Sequence, residues 1–165
     1  MSKLTKLSIL ELGTKVQDKS TGSEGMLTHF QMTDDTKHYL FQPKGLNPKS
    51  GQPLTATWIT ANRVIHGKRV NVEIPVEMLG TIATDKASGF KGTIIAITLH
   101  INGCIHALIQ PKGTVKNTGE LIEPCDFDVR RLSGRKIPRL TLKQKKASQK
   151  RKPSPAGHSP CTPRM

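Results

Sequence analysis

The chain has 165 residues, 35% of them hydrophobic and only 4% aromatic, and its 26 Lys and Arg outweigh 12 Asp and Glu to give a formal net charge of +14. That length suits one ordinary domain or two very small ones, and the lean apolar content allows only small cores, so oligomerisation or assembly on a partner is expected. No run nears the roughly 18 apolar residues of a membrane-spanning helix, no apolar leader opens the chain, and three irregularly spaced cysteines, Cys104, Cys125 and Cys161, fit a reducing, cytoplasmic origin.

Self-similarity organises the rest. Leu12–Val64 and Leu79–Leu132 share L-G-T, then D-K, then G-x-x-G, then Q-P-K-G, then a further Gly six residues on. The offset is 67 residues at first and 68 from the Q-P-K-G onward, so the second copy carries one extra residue between these blocks. In chain order, each copy predicts a first strand from Leu12 or Leu79, then a tight connection bracketed by Gly22 and Gly25 or Gly89 and Gly92, where glycine reaches backbone angles a Cβ forbids.

A hairpin follows. In the second copy Thr93–His100 and Cys104–Gln110 are rich in β-branched residues, and Ile95, Ile97 and Leu99 recur at the period of two of a strand with one buried face. Between them Ile101-Asn102-Gly103 holds the Asn-Gly pair of a hairpin turn with positive φ at both central positions. The first copy has Thr33-Asp34-Asp35-Thr36 there. Pro43 or Pro111 closes the hairpin, a polar loop runs to Gly51 or Gly119, and a last strand carries Trp58 and Ile59 or Phe127 and Val129. Between the copies, Arg69–Ile74 reads as an additional strand or an extended linker ended by Pro75. The expected fold is all-β: two tandem SH3-like barrel modules over residues 1–66 and 79–134, a linker over 67–78, and a tail over 135–165.

Candidate chemistry is sparse. His100, Cys104 and His106 form a metal-like group that would need a fourth ligand such as Cys125 for a closed zinc site, but the spacing is unconventional and these read as hairpin residues with a buried thiol. Hence no metal or other cofactor is expected. Carboxylates are few, and neither a nucleophile motif nor a phosphate-cradling G-x-x-x-x-G-K-[ST] loop is present, so the chain reads as a non-enzyme. Asp18-Lys19 and Asp85-Lys86 are read as turn residues bonding their own backbone.

The tail is the clearest functional feature. Residues 135–165 carry ten basic residues and no acid, a composition that cannot bury enough apolar surface to offset its ordering entropy and should be disordered until it meets an anion. Arg135, Lys136, Arg139, Lys143, Lys145, Lys146, Lys150, Arg151 and Lys152 are the candidate contacts to nucleic acid or to an acidic protein surface. With one Trp and one Tyr in the chain, base stacking has little support, so any such contact to DNA or RNA would be backbone-directed.

The block Gly80–Ile97, GTIATDKASGFKGTIIAI, resembles the KOW motif of ribosomal proteins and transcription elongation factors, which implies part of an SH3-like barrel. A closer likeness is to small bacteriophage and prophage proteins with D-K-x-T-G-F-x-G, N-G-C and Q-P-K. Here the pattern stands as Asp85, Lys86, Ser88, Gly89, Phe90 and Gly92, then Asn102-Gly103-Cys104, then Gln110-Pro111-Lys112. The first copy departs from it, with Ser23 in place of Phe and no N-G-C. The resemblance implies a phage origin. Together with the tail it leads to the expectation of a non-enzymatic structural or accessory protein of a capsid, neck or tail, found in the virion or host cytoplasm and docked on other virion proteins. A KOW-like nucleic-acid-binding regulator and a small-ligand sponge against host defence are the alternatives.

Overall fold

The structure, a computed structural model, describes residues 3–138. Those residues are mostly β, joined by three short 3-10 turns. No helix among them is long and apolar enough to cross a membrane.

The first copy holds β2 (Lys15–Asp18), β3 (Glu24–Met32), β4 (Lys37–Pro43), β5 (Thr57–Ile59), a 3-10 turn (Ala61–Arg63) and β6 (Val64–Ile65). The second repeats this as β8 (Ile82–Asp85), β9 (Lys91–His100), β10 (Ile105–Gln110), β11 (Cys125–Asp128), a 3-10 turn (Val129–Arg131) and β12 (Leu132–Ser133). In each copy the last short strand pairs with the first, the first with the start of the long second strand, and pairing continues through the third strand to the fourth. Among the described residues the fourth and last strands do not pair, so the ladder stays open.

The repeat extends further than the shared motifs indicate. Each copy is preceded by a strand, β1 (Thr5–Leu10) or β7 (Arg69–Ile74), and these pair antiparallel from Thr5↔Ile74 to Leu10↔Arg69. The segment between the copies is therefore a true strand, and its partner lies at the other end of the first module. Tyr39 ties β1 down, its hydroxyl accepting from the Leu10 amide at 3.0 Å.

The two copies also share a seam. The end of β3 pairs antiparallel with the end of β9, Phe30↔Leu99, Gln31↔Thr98 and Met32↔Ile97, making one continuous sheet across both. One core results: Leu27, Phe30, Phe41 and Ile59 from the first copy, Ile94, Ile97 and Ile109 from the second, and Ile9, Ile74 and Met78 from the segments before them.

Four expectations are corrected. The first strands begin at Lys15 and Ile82 rather than at Leu12 and Leu79, because Gly13 (φ +86°) and Gly80 (φ +74°) turn the chain there. The buried face of β9 is not the Ile95, Ile97, Leu99 series: Ile94, Ala96 and Ile97 are buried and Ile95 is exposed. A bulge explains this, since Ala96 faces Leu108 and Ile94 faces Ile109, leaving Ile95 without an opposite number. The same slip skips Thr28 in β3, so it is part of the repeated design. At the Ile101–Gly103 turn only Gly103 has positive φ (+87°). Asn102 instead uses its side chain, its Oδ1 accepting from the Cys104 amide at 2.9 Å. Finally, Val129 lies in a 3-10 turn and not in the last strand.

Candidate functional site

The shared motifs are structural. Asp18 and Asp85 are buried, and each meets an arginine from the end of its own copy through two hydrogen bonds, Arg63 at 2.6 and 3.1 Å and Arg131 at 2.7 and 3.0 Å. The turn-residue reading of the aspartates is correct as far as it goes: Asp18 accepts from the Ser20 amide and Thr21 hydroxyl, and Asp85 from the amide and hydroxyl of Ser88. The arginine hydrogen bonds, opposed by burial, hold the Asp18 carboxyl down at about 2 and Asp85 well below the usual carboxylate range. Sequence reading missed the arginines because each lies some 45 residues from its aspartate.

The Q-P-K-G block is also a fastening. Nε2 of Gln42 donates to the Leu54 carbonyl at 2.7 Å, and Nε2 of Gln110 to the Ile122 carbonyl at 2.7 Å. Each glutamine thereby closes a long polar loop across twelve residues. The loops are further ordered by bridges between Leu46 and Pro53 and between Thr114 and Leu121, and they hold Leu46 64% and Leu121 76% exposed.

Chemistry concentrates at the seam, where the second copy supplies most of the residues. His29 on β3 faces His100 on β9, with ring centroids 4.3 Å apart. His100 in turn lies 4.3 Å from His106 on β10, and Nδ1 of His106 is 2.6 Å from Oδ2 of Asp126 on β11. Trp58 approaches His29 from the other side at 6.3 Å. Four adjacent strands thus carry a lateral row of imidazoles ending in a carboxylate. Burial, with His106 and His29 adding to it against Asp126 and Asp128, pushes His100 down to about 4, and burial lowers His29 as well. Nε2 of His100 is buried without a hydrogen-bond partner.

Of the donors singled out in the sequence, the structure unites His100 and His106 but replaces the cysteines. Asp126 completes the group, whose donor atoms all lie within 4.8 Å of one another. Cys104 instead takes a 3.8 Å contact from the Arg130 guanidinium, and Cys125 is exposed. Asp126 and His29 were missed because they sit outside the 100–106 segment, and only strand pairing brings them in.

A cleft of about 490 Å³ opens beside this row, between the β1–β7 pair and the Asn102-Gly103 turn. Ile9, Val70, Val72 and Leu99 make its walls apolar, and Glu11, Glu73 and Arg130 line it with charge. Arg130 is directed by Asp128, which it contacts at 2.5 Å. Burial pushes the Asp128 carboxyl up, but the bonds and charge of Arg130 outweigh it and hold it below its ordinary value.

Of the candidate tail contacts, Arg135 is exposed and Lys136 lies 3.4 Å from Glu77. Arg139, Lys143, Lys145, Lys146, Lys150, Arg151 and Lys152 lie outside the described residues. No protein-family model, curated protein or solved structure matches the chain.

Proposed function

We propose that this is a non-enzymatic docking protein of a bacteriophage particle, associated with capsid, neck or tail, which engages its partner through two equivalent β modules while the basic tail contacts packaged nucleic acid or an acidic protein surface. The observation that carries this reading is the pair of fastened loops, residues 44–56 and 112–124. Each is held by a glutamine, and each displays a leucine to solvent. Pre-ordered loops lose little entropy on binding, and two of them in one rigid body suit neighbouring copies of a repeating subunit, where the second contact forms at high effective concentration. A strand order of last, first, second, third, fourth, with a 3-10 turn before the last strand, is that of an SH3-like open barrel, which is how we read each module. The phage assignment rests on the D-K-x-T-G-F-x-G, N-G-C and Q-P-K resemblance.

Mass spectrometry of purified particles tests the reading directly. The protein should be present at a fixed ratio to a major structural subunit, and Leu46→Asp with Leu121→Asp should release it. Absence from particles, together with salt-dependent binding of the free protein to duplex or single-stranded nucleic acid that is lost on deleting residues 135–165, would favour the KOW-like regulator instead.

A further inference from the structure

His100, His106 and Asp126 have no part in the docking role. They stand on three adjacent strands, β9, β10 and β11, so their spacing is fixed by ladder hydrogen bonds and not by a flexible loop. His106 is 7% exposed and buried with its ring against His100, whereas Asp126 reaches solvent with 45% of its side chain accessible. A buried imidazole, His106, and a half-buried one, His100, are thus joined to the surface by one carboxylate. Nε2 of His100 has been taken from water and given no protein partner in return, a state that a ligand would relieve.

We propose that His100, His106 and Asp126 together bind one divalent transition-metal ion of the zinc class, with solvent completing its coordination. Two imidazole nitrogens and one carboxylate oxygen, with a further position open, form a donor set that zinc accepts. Magnesium and calcium favour oxygen-only surroundings. The proton now held between Nδ1 of His106 and Oδ2 of Asp126, 2.6 Å apart, is what the ion displaces. The neutral ring then carries its proton on Nε2. Two ligands of a tetrahedral ion sit about 3.3 Å apart, so the half-exposed Asp126 side chain moves outward slightly to admit it. The donor atoms of the three residues already lie within 4.8 Å of one another, so little rearrangement brings them onto one ion. The site has no thiolate, unlike the His and Cys set that the hairpin sequence suggests.

The test uses the full-length, tag-free chain with His158→Ala and Cys161→Ser, so that the tail supplies no competing ligand. Zinc is titrated by calorimetry and cobalt by visible absorption. The expected result is one ion per chain, with a cobalt spectrum lacking sulfur charge transfer. His100→Ala and Asp126→Asn should each weaken binding by roughly 10-fold or more, no less than the loss of an outer-sphere partner. Cys104→Ser, Cys125→Ser and His38→Ala should change nothing. The proposal is overturned if the parent chain takes up no stoichiometric zinc, if Asp126→Asn binds zinc as tightly as the parent, or if a cysteine variant abolishes binding. Should His100→Ala fail to fold, the parent chain still decides. Zinc must shift the imidazole NMR resonances of His100 and His106 and spare those of His38 and His66; the reverse pattern sinks the site.

Discussion

Gln31 stands opposite Thr98 where β3 meets β9, and each is the other's counterpart in the repeat, 67 residues apart. The flanking pairs Phe30↔Leu99 and Met32↔Ile97 exchange under the same correspondence, so the halves are related by a pseudo-two-fold axis through that pair. With one core shared across the axis, the chain should unfold as one cooperative unit. Phe30→Ala, deleting a ring 1% exposed and 5.2 Å from Tyr39, should cost roughly 3 kcal/mol or more and reduce hydrogen-exchange protection in β9 as well as in β3. Protection of β9 left intact would show that the halves melt separately.

Removing the Asp85 carboxylate leaves the Arg131 guanidinium without its bidentate partner and the Ser88 turn uncapped. Asp85→Ala should destabilise by roughly 3 kcal/mol, the usual scale for breaking a buried pair from one side, read from the urea midpoint at pH 7.

The same aspartates set an acid limit. A carboxyl whose folded value lies below its unfolded one stabilises the fold fully above the unfolded value, near 4, and that contribution is lost as pH falls through the folded value. For Asp18 the window runs from about 4 down to about 2, and for Asp85 it extends lower. Stability from this source should be flat between pH 7 and about 5 and decline steeply below 4, and Asp85→Asn should flatten the acid limb in a pH series of urea melts.

Gly92 and Gly119 should respond differently to alanine. A methyl group on Gly92 would lie 2.3 Å from the Gln110 carbonyl oxygen, backbone that cannot swing aside, whereas Gly119, at φ +70°, faces open space. Gly92→Ala should cost about 3 kcal/mol, at the upper end of overpacking, and Gly119→Ala about 1 kcal/mol from its left-handed backbone alone. Thermal melts of the two variants give the comparison, and Gly25→Ala should behave like Gly92→Ala.

Gln110→Ala removes the hydrogen bond that closes the second loop. The expected loss is about 1 kcal/mol, with faster amide exchange confined to residues 112–122 and no change at the equivalent first-copy loop.

Much of the strand order was legible because it is written twice. Hairpins, loops and the extra residue at the Ile101–Gly103 turn follow from comparing the copies. The face of β9 was not legible, since a bulge at Ile95 breaks the period of two that an alternating run implies. The seam was hidden for another reason: β3 and β9 are both centre strands of their own hairpins, and nothing local marks their ends as edges for each other. The candidate site shared that fate. His100 and His106 stand out as neighbours in sequence, but Asp126 joins them through β10–β11 pairing and His29 through the seam.

The dyad at Gln31 and Thr98 gives the chain the form of a homodimer whose protomers have been spliced end to end. In a true homodimer every substitution appears twice; here each half drifts alone. The counterparts of His100, His106 and Asp126 are Thr33, His38 and Trp58, so one half could acquire a specialised surface while its twin kept only the scaffold.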